Sequence, residues 1–263
     1  MAQWECFLCA KKNEESETES CVCCKRPRSF AAKSYIDATR AQPLALHGLA
    51  TGKHPFRPEQ LDTLVRGGLN LGAEDTLGWT ALHCAARIGE ARVVATILVR
   101  EPRSKALLEA TTPGGWRALH HAVACGHLAV VEELLAADAE IDARIEEQGL
   151  TPLHLGAFHG HATILDLLLE CGADPSLVSD GLQRTVLHLA VASGQVDCVK
   201  LLLAKTDLIN RSDAEGMTPL QKAHLLPSTH NSPRDQLIKL LEMHQDPRER
   251  ASLLNPFLRS AVV

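Results

Sequence analysis

Aromatic side chains are scarce in this 263-residue chain, at 3% of its residues, with one tyrosine and three tryptophans. That scarcity argues against a β-sandwich, whose strand faces lean on aromatic and β-branched residues, and favours helices built from alanine and leucine. Long uncharged apolar runs are missing, and so is a secretory signal pattern. Both absences lead us to expect a soluble intracellular protein, cytoplasmic or nuclear, with no membrane partner. Positive charge is not in excess either: the net charge is −5 and the pI about 6.2, which excludes a general nucleic-acid-binding surface. No phosphate-cradling glycine loop, nucleophile elbow or metalloprotease helix motif occurs. Acidic residues and histidines follow a repeat instead, so the expectation is a protein that is not an enzyme and has no catalytic residues. A hydrophobic content of 45% is enough for a substantial core, and the length allows one large domain or two smaller ones.

What is present is a repeated phrase. Its best copy reads Thr151-Pro152-Leu153-His154-Leu155-Gly156-Ala157-Phe158-His159-Gly160-His161. Related copies begin at Thr80, Arg117, Thr185 and Thr218, so the successive steps are 37, 34, 34 and 33 residues. A fixed period in this range with a T-P-L-H core marks a repeat array. On these residues the chain resembles the ankyrin-repeat family. The best copy continues Ile164-Leu165-Asp166-Leu167-Leu168-Leu169-Glu170-Cys171-Gly172-Ala173-Asp174, similar to the family's second helix and its exit.

The physics of one copy agrees. Thr151 before Pro152 predicts a helix N-cap with proline in the first turn. Leu153, Ala157 and Gly160 predict a short helix with a small-residue face and a glycine stop. Ala162 to Glu170 predicts a second helix, apolar at Ile164, Leu165, Leu167, Leu168 and Leu169. Neither helix can bury its apolar face alone, so stability is shared between stacked neighbours. The fold class is therefore all-α: a solenoid of about five repeats over residues 42–245. It opens with a diverged capping repeat from Gln42 to about Ala73 and closes with a damaged fifth repeat from Asp213, where Gln221 replaces histidine. The extra residues of repeat one fall near Glu101-Pro102-Arg103-Ser104 and predict a longer connection. Residues 31–41 read as a linker. Residues 246–263 form a tail whose Leu253, Leu254, Phe257 and Leu258 either cap the array or dock elsewhere.

Five of the nine cysteines lie at 6, 9, 21, 23 and 24, and the other four are scattered singly through the repeats. Cys6, Cys9, Cys21 and Cys24 form two C-x2-C pairs separated by eleven residues, a spacing that can place four thiolates around one tetrahedral zinc. Such a short segment has no core, so the metal would supply its folding energy. With all four ligand positions filled, the site is structural. A pair of disulfides is the competing reading. Cys23 is the spare, since pairing through it gives C-x-C. Trp4, Asn13 and the run Cys24-Lys25-Arg26-Pro27-Arg28 make residues 1–30 resemble the Ran-binding-protein-type zinc finger found in nucleoporins and ubiquitin readers. The resemblance implies a packing role for Trp4, a loop-holding role for Asn13, and a second protein partner, ubiquitin in one version. Ala10-Lys11 stands where ubiquitin-binding members carry Thr-Phe. Single-stranded RNA is the alternative partner. The basic residues Lys25, Arg26, Arg28 and Lys33 keep it open, although they read first as a solvated linker, and the acidic loop Glu14-Glu15-Ser16-Glu17-Thr18-Glu19 would repel phosphate.

His83, His120, His154 and His188 share one repeat position. One repeat apart, they are too far from each other to share a metal held by bonds of about 2 Å. The resemblance implies that each instead bonds the threonine at its repeat turn, with Arg117 altering that network in repeat two. The family's binding face implies a protein-binding strip at the turn tips and first helices: Trp79, Arg87, Ile88, Trp116, Leu150 and Phe158, with Arg184 at the equivalent position in repeat four; packing of each indole against its neighbouring turn is the competing reading. The overall expectation is an adaptor, with one protein on the array and another on the finger.

Overall fold

The computed structural model describes residues 3–5, 12–14, 71–75, 77–100, 105–227 and 233–245. The four expected zinc ligands, the linker 31–41, the expected capping helices and the tail 246–263 lie outside the described residues. Near the start, strands β1 (Gln3–Glu5) and β2 (Lys12–Glu14) pair antiparallel, with Trp4 opposite Asn13 and Glu5 opposite Lys12. The remaining described elements are helical. The chain divides into two compact units, Met1–Glu140 and Ile141–Val263.

In the first unit, α1 (Ala81–Ile88) is followed by α2 (Ala91–Arg100), a short α3 (Lys105–Leu108), α4 (Ala118–Cys125) and α5 (Leu128–Ala136). The first helices α1 and α4 pack on one another, and so do the second helices α2 and α5. Helix α3 was not expected. It buries Leu107 and Leu108 and accounts for the long first step between copies. Four residues are too few to show a helical period, so the sequence shows only a longer connection.

The second unit holds three pairs: α6 (Pro152–His159) with α7 (Ala162–Glu170), α8 (Val186–Ala192) with α9 (Val196–Lys205), and α10 (Pro219–Leu225) with α11 (Arg234–Gln245). First helices α6, α8 and α10 pack in sequence, as do second helices α7, α9 and α11. Gly156, Ala190 and Ala223 sit at one position of the three first helices and are buried. Such small residues let neighbouring helices approach closely. The second helices bury an i, i+1, i+4 face: Ile164, Leu165 and Leu168 on α7, then Cys198, Val199 and Leu202 on α9. Fully burying one such aliphatic side chain contributes roughly 1.5–3 kcal/mol.

The first helices are short because both ends are written in sequence. Thr80, Thr151, Thr185 and Thr218 adopt extended backbone and accept a bond from the amide three residues on. Gly89, Gly126 and Gly160 then take left-handed conformations that end α1, α4 and α6. Before each first helix the chain folds into a loop closed by a backbone bond: Asp75 N–H to Trp79 O (2.8 Å), Thr112 to Trp116 (2.9 Å), Ile145 to Leu150 (3.0 Å), Ser179 to Arg184 (3.0 Å) and Asp213 to Met217 (2.9 Å). The third and fourth loops contain one more residue than the others.

Candidate partner-binding faces

The repeated histidines are structural, as the resemblance implied. The Thr80 N–H donates to His83 Nδ1 at 3.1 Å, and the Thr80 hydroxyl lies 2.9 Å from the same atom. A nitrogen that accepts from an amide carries no proton, so the ring is the Nε2–H tautomer. His83 Nε2 accordingly donates to Ala110 O at 2.9 Å, and His188 Nε2 to Met217 O at 3.0 Å. His154 repeats the Nδ1 contacts, with its ring nitrogen 2.8 Å from the Thr151 hydroxyl. Burial lowers its pKa to about 4, even though the Arg184 carbonyl acts in the opposite sense. Burial also holds His188 below the ordinary histidine value. In the second copy Arg117 keeps only the backbone half: its N–H donates to His120 Nδ1 at 3.1 Å, and no side-chain cap forms. The guanidinium instead pairs with Glu109 and Glu140.

The loop hydrogen bonds correct the expected strip. Trp79, Trp116, Leu150 and Arg184 were expected at turn tips, but each closes the base of its loop and is drawn back toward the helices by its own carbonyl bond. The tips are the residues before them. Trp79 shows the consequence: its N–H donates to Asp75 Oδ1 at 2.9 Å, and the residue is only 3% exposed. Its indole tilts over His121 with ring centres 4.5 Å apart, and His121 in turn lies 5.1 Å from the half-buried Trp116. Arg87 also lies over this ring, its guanidinium carbon 5.9 Å from the Trp79 ring centre. Trp79 is thus a packing residue of the first unit, not an exposed anchor. Ile88 and Trp116 remain half-buried.

Within the second unit, Leu150 is half-buried, whereas Phe158 is 48% exposed at the end of α6, its ring edge-on to His159. Arg184 does not present a free charge. It lies 3.8 Å from both Asp213 and Glu215, which Lys222 also engages. Burial opposes the Asp213 charge, but the Met217 amide and Lys222 ammonium hold its carboxyl below the usual range. One exposed residue was missed, the 66% exposed Leu225, which stands seven residues after its cap just as Phe158 and the exposed Ala192 do. Counting from each cap threonine would have found it.

Among the described residues no group of three or more His, Cys, Asp or Glu side chains is placed to hold a metal. No described helix is long and apolar enough to cross a membrane. Cys84, Cys125, Cys171 and Cys198 lie outside any disulfide, and burial raises the Cys198 pKa to about 11.

Comparison with known proteins bears on this repeat geometry. The chain is 33% identical over 115 residues to inversin of Gallus gallus, covering 44% of this chain and 10% of that protein. It is 33% identical over 164 residues to E3 ubiquitin-protein ligase KEG of Arabidopsis thaliana, covering 61% and 10%. It is 35% identical over 89 residues to putative palmitoyltransferase ZDHHC13 of Danio rerio, covering 34% and 14%. The matches thus take in only 10% to 14% of these relatives' own lengths. The family model for ankyrin repeats in three copies matches residues 48–145, 105–179 and 153–245. That match takes in well over half of the sequence and falls on the residues whose caps and loops recur in space; this chain belongs to the ankyrin-repeat family.

Proposed function

We propose that this chain is a non-enzymatic adaptor, its ankyrin repeats binding one protein and its N-terminal segment, as a zinc finger, binding a second. The carrying observation is Phe158, a large apolar side chain left 48% exposed on a helix whose other residues are mostly buried and capped at both ends. A rigid helix that presents an aromatic to solvent has the makings of a protein hot spot. Trp116, Arg87 and Ile88 supply a second, shallower contact area in the first unit. For the finger, the four cysteine thiols are a donor set that suits structural zinc. When bound, the ion would fold that segment and do no chemistry. Four cysteines spread singly through the repeats, none in a disulfide, suit a reducing, cytoplasmic or nuclear setting.

The test uses the full chain as bait in three forms: wild type, Phe158→Ala/Trp116→Ala, and Cys21→Ser/Cys24→Ser. One set of captured proteins should be lost with the first variant and a different set, ubiquitin conjugates in one version, with the second. If neither variant loses a partner, the adaptor reading fails. RNA is the second reading for the finger, favoured by Lys25, Arg26, Arg28 and Lys33. Titration with single-stranded RNA at rising salt separates the two, because phosphate contacts give a steep loss of affinity.

A further inference from the structure

We propose that the second unit grips a linear partner segment. One large apolar side chain of that segment enters a notch formed by Phe158, Ala192 and Leu225. Lysine or arginine about four residues away meets Glu146 and Glu147. The inference rests on the protein-binding reading above and adds the chemistry of the partner.

Phe158, Ala192 and Leu225 each follow their N-cap threonine by seven residues, on α6, α8 and α10. Those three helices pack in sequence, so the positions form a row across one face. Phe158 is 48% and Leu225 66% exposed, and Ala192 between them is exposed as well. Packed helices lie about 8–10 Å apart, so Phe158 and Leu225 stand two helix spacings apart with the Ala192 methyl midway between them. Much of their apolar surface meets solvent, and an apolar side chain set between Phe158 and Leu225, over Ala192, would cover it.

The charge around the notch selects the rest of the segment. Arg184 and Lys222 are engaged by Asp213 and Glu215, and Arg144 lies 3.4 Å from Asp180. Glu146 and Glu147 are exposed in the loop before α6, and among the described residues no cation lies within ion-pair distance of either. The available charge at that loop is therefore negative, and it complements a basic segment. Eight residue steps separate Leu150, at the base of the loop, from Phe158 near the end of α6, about 12 Å at helical rise. An extended peptide covers that distance in about four residues, which sets the spacing between apolar anchor and basic side chains.

The experiment pans a phage-displayed random dodecapeptide library against the full chain. Affinities of enriched peptides are then measured by fluorescence anisotropy for wild type, Ala192→Arg, Phe158→Ser/Leu225→Ser and Glu146→Gln/Glu147→Gln. Enriched peptides should share Leu, Phe or Trp with Lys or Arg three to five positions away. Ala192→Arg, which fills the notch with a charge, should weaken them tenfold or more, and the glutamine pair three- to tenfold with a flatter salt dependence. Should Ala192→Arg lose helicity by circular dichroism, the serine pair, which removes the two large side chains, carries the same expectation. Acidic consensus peptides, affinities within twofold of wild type in the notch variants, or no enrichment at all would overturn the proposal. A captured protein partner that tolerates Ala192→Arg but is lost with Phe158→Ala/Trp116→Ala overturns this inference and leaves the adaptor reading standing. Loss of no partner in any variant removes both.

Discussion

His154 condenses the residue-scale physics of this protein. Its Nδ1 accepts from the Thr151 amide and hydroxyl, so the ring must stay neutral to hold the turn. The folded ring titrates near 4, against 6.5 for an unperturbed histidine. Between those values protons bind preferentially to the unfolded chain. Stability is therefore full above about pH 6.5 and drains away as the pH falls toward 4. By pH 4.5 the loss from this ring amounts to about 2–3 kcal/mol. The fifth copy shows how to remove the effect: Thr218 N–H donates to Gln221 Oε1 at 2.8 Å, a cap with no titratable ring. Urea denaturation at pH 7 and 4.5 should show the smaller pH difference in His154→Gln. Equal pH differences in the two proteins would contradict the neutral-ring assignment. Glycine gives a second residue-scale contrast. Gly149 and Gly216 both adopt positive φ, +61° and +75°. A Cβ on Gly149 would lie 2.7 Å from the Asp180 amide nitrogen, whereas Gly216 faces open space. Gly216→Ala should cost about 1–2 kcal/mol, the left-handed penalty alone. Gly149→Ala should cost measurably more, because backbone has to move.

Helix caps and loops decide what each element can offer. Thr151 caps α6 through its hydroxyl, while Arg117 caps α4 with nothing from its side chain. Thr151→Ala should therefore destabilise by about 1–2 kcal/mol, independent of salt. Arg117→Ala should cost less, about 1 kcal/mol or below, and that cost should shrink in high salt, because its side chain acts through Glu109 and Glu140 near the surface. Thermal midpoints at two ionic strengths separate the cases. The same scale explains the misplaced tryptophan. In sequence, Trp79 stands at the edge of a turn and looks like an exposed anchor. In space it closes the loop, and the Asp75 carboxylate and backbone pull it inward onto His121.

For the whole molecule, the helical repeats and the cysteine-rich segment are separate stability problems. The repeats bury aliphatic faces; the first 30 residues offer thiols instead of a core. Chelation should therefore release one zinc per chain, detected with a colorimetric metal indicator, and leave the helical ellipticity and its melting midpoint unchanged. Cys24→Ser should abolish the bound zinc with the same indifference of the repeats. A stoichiometry near zero in protein purified with zinc would sink the finger.

The repeat family, helix limits and histidine role were legible from sequence because each is local. A threonine three residues before a histidine, a glycine stop and an i, i+1, i+4 apolar face act within a dozen residues. Helix α7 accordingly begins and ends at the residues expected, Ala162 and Glu170. Exposure was not legible in this way. Whether an aromatic faces solvent depends on which side of a loop its backbone bonds close, and on what the neighbouring copy places against it. Only the folded packing buried Trp79, left Phe158 and Leu225 exposed, and aligned them across α6, α8 and α10 with Ala192 between. Local bonding made the repeats; long-range packing chose which of their side chains meet the solvent.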